Sequence, residues 1–99
     1  MEYIIKNNSL FICDKYGNTG IRISENVSNV NFSEEKKIFL ITKINGDVEL
    51  KDTNGNLRSK IFEGAVDARF NGDGFVVRTK DGRNRLVDKS GNKGAFLWI

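Results

Sequence analysis

A five-residue pattern, Asp-x-x-Gly-Asn, occurs three times in 99 residues and limits the folds that this chain can adopt. The copies start at Asp14, Asp52 and Asp88, and are therefore 38 and 36 residues apart. An Asp that opens a tight turn accepts hydrogen bonds from backbone N–H groups, and a Gly in the fourth place supplies the left-handed conformation of short hairpin loops. We predict that each copy joins two antiparallel strands, that its Gly has a positive φ, and that its Asp bonds the turn.

The rest of the chain consists of short β-forming segments separated by turn residues. The dipeptides Asn7-Asn8, Asn45-Gly46 and Asp81-Gly82 are typical of hairpin turns, and only the stretch 33–37 has helical composition, over too few residues to form a stable helix. We count about eleven strands and predict an all-β, antiparallel, single domain of three double-hairpin units. The approximate units are residues 1–32, 33–70 and 71–99.

Self-similarity at a period of 36–38 residues is the signature of a propeller, a solenoid or a related array. Two architectures fit three double hairpins: propeller-like blades, or a trefoil-like closed barrel with pseudo-threefold symmetry. Propellers typically close with about four to eight blades, so propeller-like units need two or more chains to complete a ring. We favour this homo-oligomer, because the first unit lacks the strand that should open it and the last unit ends on an apolar strand.

One order of residue types recurs along nearly the whole chain. Residues 67–91 read DARFNGDGFVVRTKDGRNRLVDKSG. Residues 31–55 follow the same order of residue types, and residues 3–17 follow its second half. This order of residue types resembles the WG repeat, whose pattern is roughly F-x-x-G-L-A-x-V-x-x-x-G-K-W-G-Y-I-D-x-x-G. The resemblance implies a propeller-like β-repeat protein that binds a partner and has no general catalytic residues. Three other dipeptides stand where the family has Trp-Gly, namely Leu10-Phe11, Val48-Glu49 and Asn84-Arg85.

The composition leaves few groups for catalysis or metal binding. The chain has no histidine, which excludes His-based triads and His metal sites, and its single cysteine, Cys13, cannot form an internal disulfide or a zinc site. It has no P-loop or dinucleotide-binding fingerprint, and the Asp-x-x-Gly-Asn copies lack the terminal Glu of an EF-hand calcium loop. We therefore predict no catalytic residues, no metal and no cofactor, and a protein that is not an enzyme.

Charge is unevenly distributed along the chain. Residues 1–57 contain seven basic and eight acidic side chains, whereas residues 58–99 contain nine basic and five acidic ones. A basic half is compatible with an anionic partner. No apolar run approaches the roughly 18 residues of a membrane helix, and the N-terminal sequence is not of the signal-peptide type. We expect a cytoplasmic protein without a membrane partner.

The hairpin around Asp81-Gly82 is the most basic feature of the chain and our candidate binding site. If Asp81-Gly82 is a two-residue turn, Lys80 faces Arg83 and Arg78 faces Arg85. All four cations then lie on one face of the hairpin. Like charges directly opposite one another destabilise a sheet, so this basic tip requires a counter-charge. Either another part of the protein or an acidic partner, such as a phosphate, supplies it.

Four more residues are candidates for an interface. Asp47 and Glu49 hold, in the second unit, the places of the two arginines that follow the Asp81-Gly82 turn. We therefore predict that the acidic and basic tips meet, within the chain or across an oligomer contact. Phe96 and Trp98 lie in the last strand, which presents an apolar edge to another chain.

The prediction for function is a non-catalytic module that mediates protein–protein interaction. Its partner is either a second copy of the chain or another protein, as for an inhibitor or immunity-type protein, and an acidic protein suits the basic tip. Binding of nucleic acid or another polyanion through the basic half is the first alternative. Carbohydrate binding is the second, although the position that should keep one aromatic residue holds Tyr16, Asn54 and Ser90 in turn.

Overall fold

Eleven β-strands make up the computed structural model of this protein, which describes residues 2–97. All their pairings are antiparallel, and no helix occurs among these residues. The predicted all-β antiparallel class is therefore confirmed. The strands are β1 (Glu2–Lys6), β2 (Ser9–Cys13), β3 (Thr19–Ser24), β4 (Val27–Ser33), β5 (Ile38–Lys43), β6 (Val48–Asp52), β7 (Leu57–Phe62), β8 (Ala65–Asn71), β9 (Gly74–Thr79), β10 (Asn84–Val87) and β11 (Lys93–Leu97).

The strands form three separate sheets, and in each sheet neighbouring strands are consecutive along the chain. The first sheet contains β1 to β3, the second β4 to β7, and the third β8 to β11. None of them closes into a barrel within the described residues, so the trefoil-like closed barrel is not found there.

The fourth and eighth strands pair forward along the chain. β4 pairs with β5, for example at Phe32 and Phe39, and β8 pairs with β9, for example at Phe70 and Phe75. The sequence units were drawn to end after these strands, so the second and third sheets begin earlier than the corresponding units. We call β4 and β8 the leading strands of their sheets. The first sheet has no leading strand among residues 2–97.

The three Asp-x-x-Gly-Asn segments form the same turn, as predicted. Oδ1 of Asp14 accepts hydrogen bonds from the N–H groups of Tyr16 (2.8 Å) and Asn18 (3.0 Å), and Asp52 and Asp88 bond the corresponding N–H groups. The hydrogen bond from the N–H of the final Asn is the main reason that each Asp has a pKa below the ordinary 3.8. The φ angles are 83° at Gly17, 85° at Gly55 and 87° at Gly91.

Two apolar clusters hold the sheets against one another. The cluster between the first and second sheets contains Leu10, Ile23, Val27, Phe39 and Ile41. The cluster between the second and third sheets contains Leu40, Val48, Leu50, Ile61, Phe62, Ala65, Ala68, Phe75, Val77 and Val87. Side chains of a strand alternate between faces, so β5 sends Phe39 and Ile41 to one cluster and Leu40 to the other. The second sheet is covered on both faces, which explains the unbroken apolar sequence of β5.

Candidate binding surfaces

The basic hairpin has a longer turn than predicted. The loop is the three-residue segment 80–82, closed by the Thr79 N–H, which donates to the Arg83 carbonyl over 2.8 Å. Gly82 is left-handed, with a φ of 89°, as the last residue of a three-residue hairpin loop with a bulge requires. An Asp-Gly dipeptide serves this loop as well as a two-residue turn, so the dipeptide alone does not determine the loop length.

The longer loop places two of the basic residues on opposite faces. Arg78 lies across from Asn84, and Arg85 lies across from Val77. A shift of one residue in register reverses the face to which a side chain points, so Arg78 and Arg85 point in opposite directions. The prediction that all four cations share one face is therefore wrong.

The guanidinium groups of Arg83 and Arg85 both cover one aromatic ring. Their Cζ atoms lie 4.3 and 4.8 Å from the centre of the Phe96 ring, within range of a cation–π interaction. Arg85 also donates from Nε to the Gly94 carbonyl over 3.1 Å. Two predicted site residues and one predicted interface residue thus form a single cluster that stabilises β10 against β11.

The basic tip has its own counter-charge. Arg83 pairs with the carboxylate of Asp81, which also accepts a hydrogen bond from the Thr79 hydroxyl. The Thr79 hydroxyl and, after it, Arg83 lower the pKa of Asp81 to about 2. Arg78 and Lys80 are exposed and form no ion pair with any of residues 2–97, so these two cations remain available to a partner.

The acidic residues that were predicted to meet the basic tip lie elsewhere. Asp47 Oδ2 is 3.6 Å from Lys60 Nζ, which is also 2.9 Å from Glu63 Oε1. Glu49 Oε1 is buried and has no hydrogen-bond partner among the described residues. Within that part of the chain no ion pair joins Asp47 or Glu49 to the four basic residues, so the predicted contact is not found inside one chain. Trp98, the last predicted interface residue, lies outside the described residues.

An exposed apolar position lies in the middle of β1, in the first sheet, where the sequence prediction named no site residue. Ile4 is 42% exposed, whereas Ile41 and Val77, at the corresponding positions of the other sheets, are fully buried. Each sheet has one Asp-x-x-Gly-Asn turn, and the three positions correspond when the sheets are aligned on the Asp of that turn. In each sheet the residue in question pairs with the residue that precedes this Asp by three places. These cross-strand partners are Phe11 for Ile4, Glu49 for Ile41 and Arg85 for Val77.

The strand that contains Ile4 has a neighbour on one side only. β1 pairs with β2 along its whole length, while its other edge faces no strand among residues 2–97. In the second and third sheets the leading strands β4 and β8 occupy this place. The side chains of Tyr3, Ile4 and Ile5 are between 37% and 42% exposed. This run of β-forming residues in an unpaired strand is the signal by which the sequence could have indicated the site.

Two surface cavities lie between the second and third sheets, and the charged groups at their rims are largely paired. Lys60 pairs with Glu63 at the first, and Lys36 Nζ lies 3.9 Å from Asp73 Oδ1 at the second. The first has a volume of about 320 Å³ and is lined by Lys60, Ile61, Phe62, Glu63 and Lys93. The second has a volume of about 170 Å³ and is lined by Lys36, Ile38, Leu50, Phe70, Asp73, Phe75 and Lys89.

Two kinds of feature are missing from the part of the chain that the structure describes. Residues 2–97 contain no group of three or more Cys, Asp or Glu side chains placed to hold a metal ion. The same residues include no helix with the length and apolar character needed to cross a membrane.

Comparison with known proteins assigns no function to this chain, so function is inferred from the surfaces described above. No protein-family model matches the chain. A search of curated proteins returns no match either.

Proposed function

We propose that this chain is a non-catalytic β-repeat module that binds another polypeptide. In this proposal the three sheets are the blades of a propeller-like array, similar to those of WG-repeat proteins. The observation that supports it is the edge of β1, which has no neighbouring strand among residues 2–97, whereas the corresponding edges of β5 and β9 are paired with leading strands. A partner segment that adds a strand at this edge completes the first sheet.

The leading strands indicate what kind of segment fits beside β1. Each is seven residues long and places an apolar residue opposite the central buried residue of its neighbour. Val30 lies across from Ile41, and Ala68 lies across from Val77. The partner segment is therefore extended, as long as a leading strand, and apolar opposite Ile4. Main-chain hydrogen bonds supply affinity in such strand addition, and alternate side chains supply specificity.

A synthetic peptide that copies β4, residues 27–33 (VSNVNFS), tests the proposal by titration into isotope-labelled protein. We expect chemical-shift changes and slower amide exchange to concentrate in Glu2–Lys6. The control peptide has the same sequence with every backbone amide N-methylated, so it cannot donate hydrogen bonds to the edge. Equal responses to both peptides, or a response away from β1, would show that this edge does not accept a strand.

Polyanion binding is a second candidate. The observation that favours it is that Arg78 and Lys80 are exposed and form no ion pair within the described range 2–97. Cations that neutralise backbone phosphates make the affinity fall steeply with salt. If this site operates, the double variant Arg78→Glu, Lys80→Glu loses oligonucleotide affinity and has a smaller salt slope. The matched control reverses the charges of Lys6 in β1 and Lys15 in the turn between β2 and β3. Equal losses in both double variants would indicate a non-specific effect of net charge.

A further inference from the structure

We propose that two copies of this chain stack head to tail, with the outer face of the third sheet of each copy against the outer face of the first sheet of the other. Ile4 and Phe11 define the outer face of the first sheet, and Val76 and Leu86 define that of the third. The contact uses a face of the first sheet rather than the β1 edge, so it does not depend on strand addition. Of the two contacts that recur at both junctions inside the chain, the turn-glycine contact supports it, together with the apolar residues on the two outer faces.

The glycine of the Asp-x-x-Gly-Asn turn makes the first recurring contact. A Cβ atom on Gly55 would lie 3.6 Å from Ile23 Cα in the last strand of the preceding sheet, and one on Gly91 would lie 3.5 Å from Ile61 Cα. Ile23 and Ile61 are each the fifth residue of their strand. Gly17 has the same turn and nearly the same φ, but apart from Gly17 and its two chain neighbours no residue of 2–97 has an atom within 4 Å of its Cβ position. The turn glycine of the first sheet therefore has no neighbouring sheet packed against it among residues 2–97.

A backbone hydrogen bond makes the second recurring contact. It joins the hairpin turn of one sheet to the first residue of the next leading strand: the Val27 N–H donates to the Asn8 carbonyl over 2.7 Å, and the Ala65 N–H donates to the Gly46 carbonyl over 2.9 Å. Gly82 holds the corresponding place in the third sheet. Its carbonyl accepts no hydrogen bond from residues 2–97. The first sheet has no leading strand among these residues, so the stacking does not reproduce this bond and rests on the glycine contact and the apolar faces.

Apolar side chains lie on both outer faces. Ile4 is 42% exposed on the first sheet. On the third sheet Val76 lies across from Leu86, as Leu40 lies across from Leu50 in the second sheet. Leu40 and Leu50 are buried against the sheet that follows. Val76 is already buried within its own chain, so the half-buried Leu86 is the apolar group that a stacked partner would cover.

The two outer faces are complementary in the glycine contact and in their apolar residues. Among residues 2–97 the turn glycine of the first sheet has no preceding sheet to contact, and the apolar residues of the third sheet have no following sheet to cover them. A contact between such different surfaces of two copies is heterologous, and it closes into a ring when the rotation permits. Two copies supply six sheets, which is within the range of about four to eight in closed propellers.

Solution mass tests the stacking. At about 100 µM chain, where a contact with a Kd of about 1 µM is largely saturated, sedimentation should give twice the chain mass of 11.2 kDa. We expect Ile4→Glu and Leu86→Glu each to be monomeric, because each buries an unpaired carboxylate in the contact. The matched control is Ile44→Glu, which changes a turn residue that is 56% exposed and should leave the dimer intact.

Mixing the two face variants gives the sharpest result. Ile4→Glu keeps an intact third sheet and Leu86→Glu keeps an intact first sheet, so their equimolar mixture forms one sound junction and a dimer that neither forms alone. A wild-type monomer, or a dimer lost in only one variant, overturns the head-to-tail arrangement. Circular dichroism establishes that each variant is folded, and Ser replaces Glu at either position if it is not.

The peptide titration tests strand addition, the mass measurement tests the stacking, and the two results are independent. A monomer that still binds the β4 peptide refutes the stacking and leaves strand addition in place. A dimer whose β1 edge ignores the peptide refutes strand addition and leaves the stacking in place.

Discussion

Tyr3 and Phe39 meet edge to face, with ring centroids 5.5 Å apart and ring planes at 88°. The Phe39 centroid also lies 4.6 Å from that of Phe32 in the second sheet. Aromatic pairs favour this edge-to-face geometry because the positive edge of one ring meets the negative face of the other. Tyr3 therefore extends an aromatic cluster of the second sheet across the junction to the first.

Replacing Tyr3 by Leu should weaken this junction while it keeps an apolar side chain. We expect the free energy of unfolding to fall by about 0.5–1.5 kcal/mol, the usual contribution of an aromatic pair. Tyr16→Leu is the control, since Tyr16 is 78% exposed and contacts no other ring among residues 2–97. Urea unfolding of both variants measures the difference, and equal losses would contradict the role of the ring pair.

Two glycines with the same turn should respond differently to substitution. Gly17→Val and Gly55→Val both force a β-branched residue to a positive φ, at a cost of about 1–2 kcal/mol. At Gly55 the new side chain also meets the Arg22 carbonyl oxygen, 3.4 Å from the Cβ position. We expect Gly55→Val to lose more stability than Gly17→Val in urea unfolding of dilute protein. A larger loss of stability in Gly17→Val would show that the Gly55 turn is not packed against the first sheet.

The three turn carboxylates predict a loss of stability in acid. Asp14, Asp52 and Asp88 have folded-state pKa values lowered from 3.8 by backbone N–H donors. The unfolded state therefore binds protons first as the pH falls. The stabilisation is fully present above the unfolded pKa and is lost as the pH falls through the lowered folded values. Unfolding free energies measured from pH 7 to pH 2 should drop below pH 4, and Asp→Asn at all three positions should flatten that drop.

The pKa of Asp81 should report the structure of the basic tip. Its value of about 2 is due first to the Thr79 hydroxyl and then to Arg83. Thr79→Ala and Arg83→Ala should each raise this pKa towards 3.8, as followed by carboxyl carbon shifts in a pH titration. Arg58→Ala, which removes an ion pair of Asp52 instead, should leave it unchanged. An Asp81 that titrates alike in all three variants would mean that the tip does not hold this geometry.

Local patterns determined the features whose contacts close within a few residues. The Asp-x-x-Gly-Asn turn was predicted with its hydrogen bonds and the φ of its glycine, because the Asp accepts from N–H groups only two and four residues away. The Asn7-Asn8 hairpin was predicted for the same reason, and both residues are left-handed, with φ of 52° and 63°. The class of the fold also followed, since eleven short β-forming segments separated by turns leave no length for a helix.

Only the tertiary structure decided which surfaces are free. Asp81-Gly82 is compatible with two loop lengths, and the pairing of Arg78 with Asn84 selects the register that separates the basic residues. β4 borders short connections on both sides, and only its pairing with β5 rather than β3 shows that it begins the second sheet. Register and pairing depend on surfaces that are buried against residues far along the chain, as Phe39 is against Tyr3. No window of a few residues contains both partners, so packing between the sheets determines the outcome.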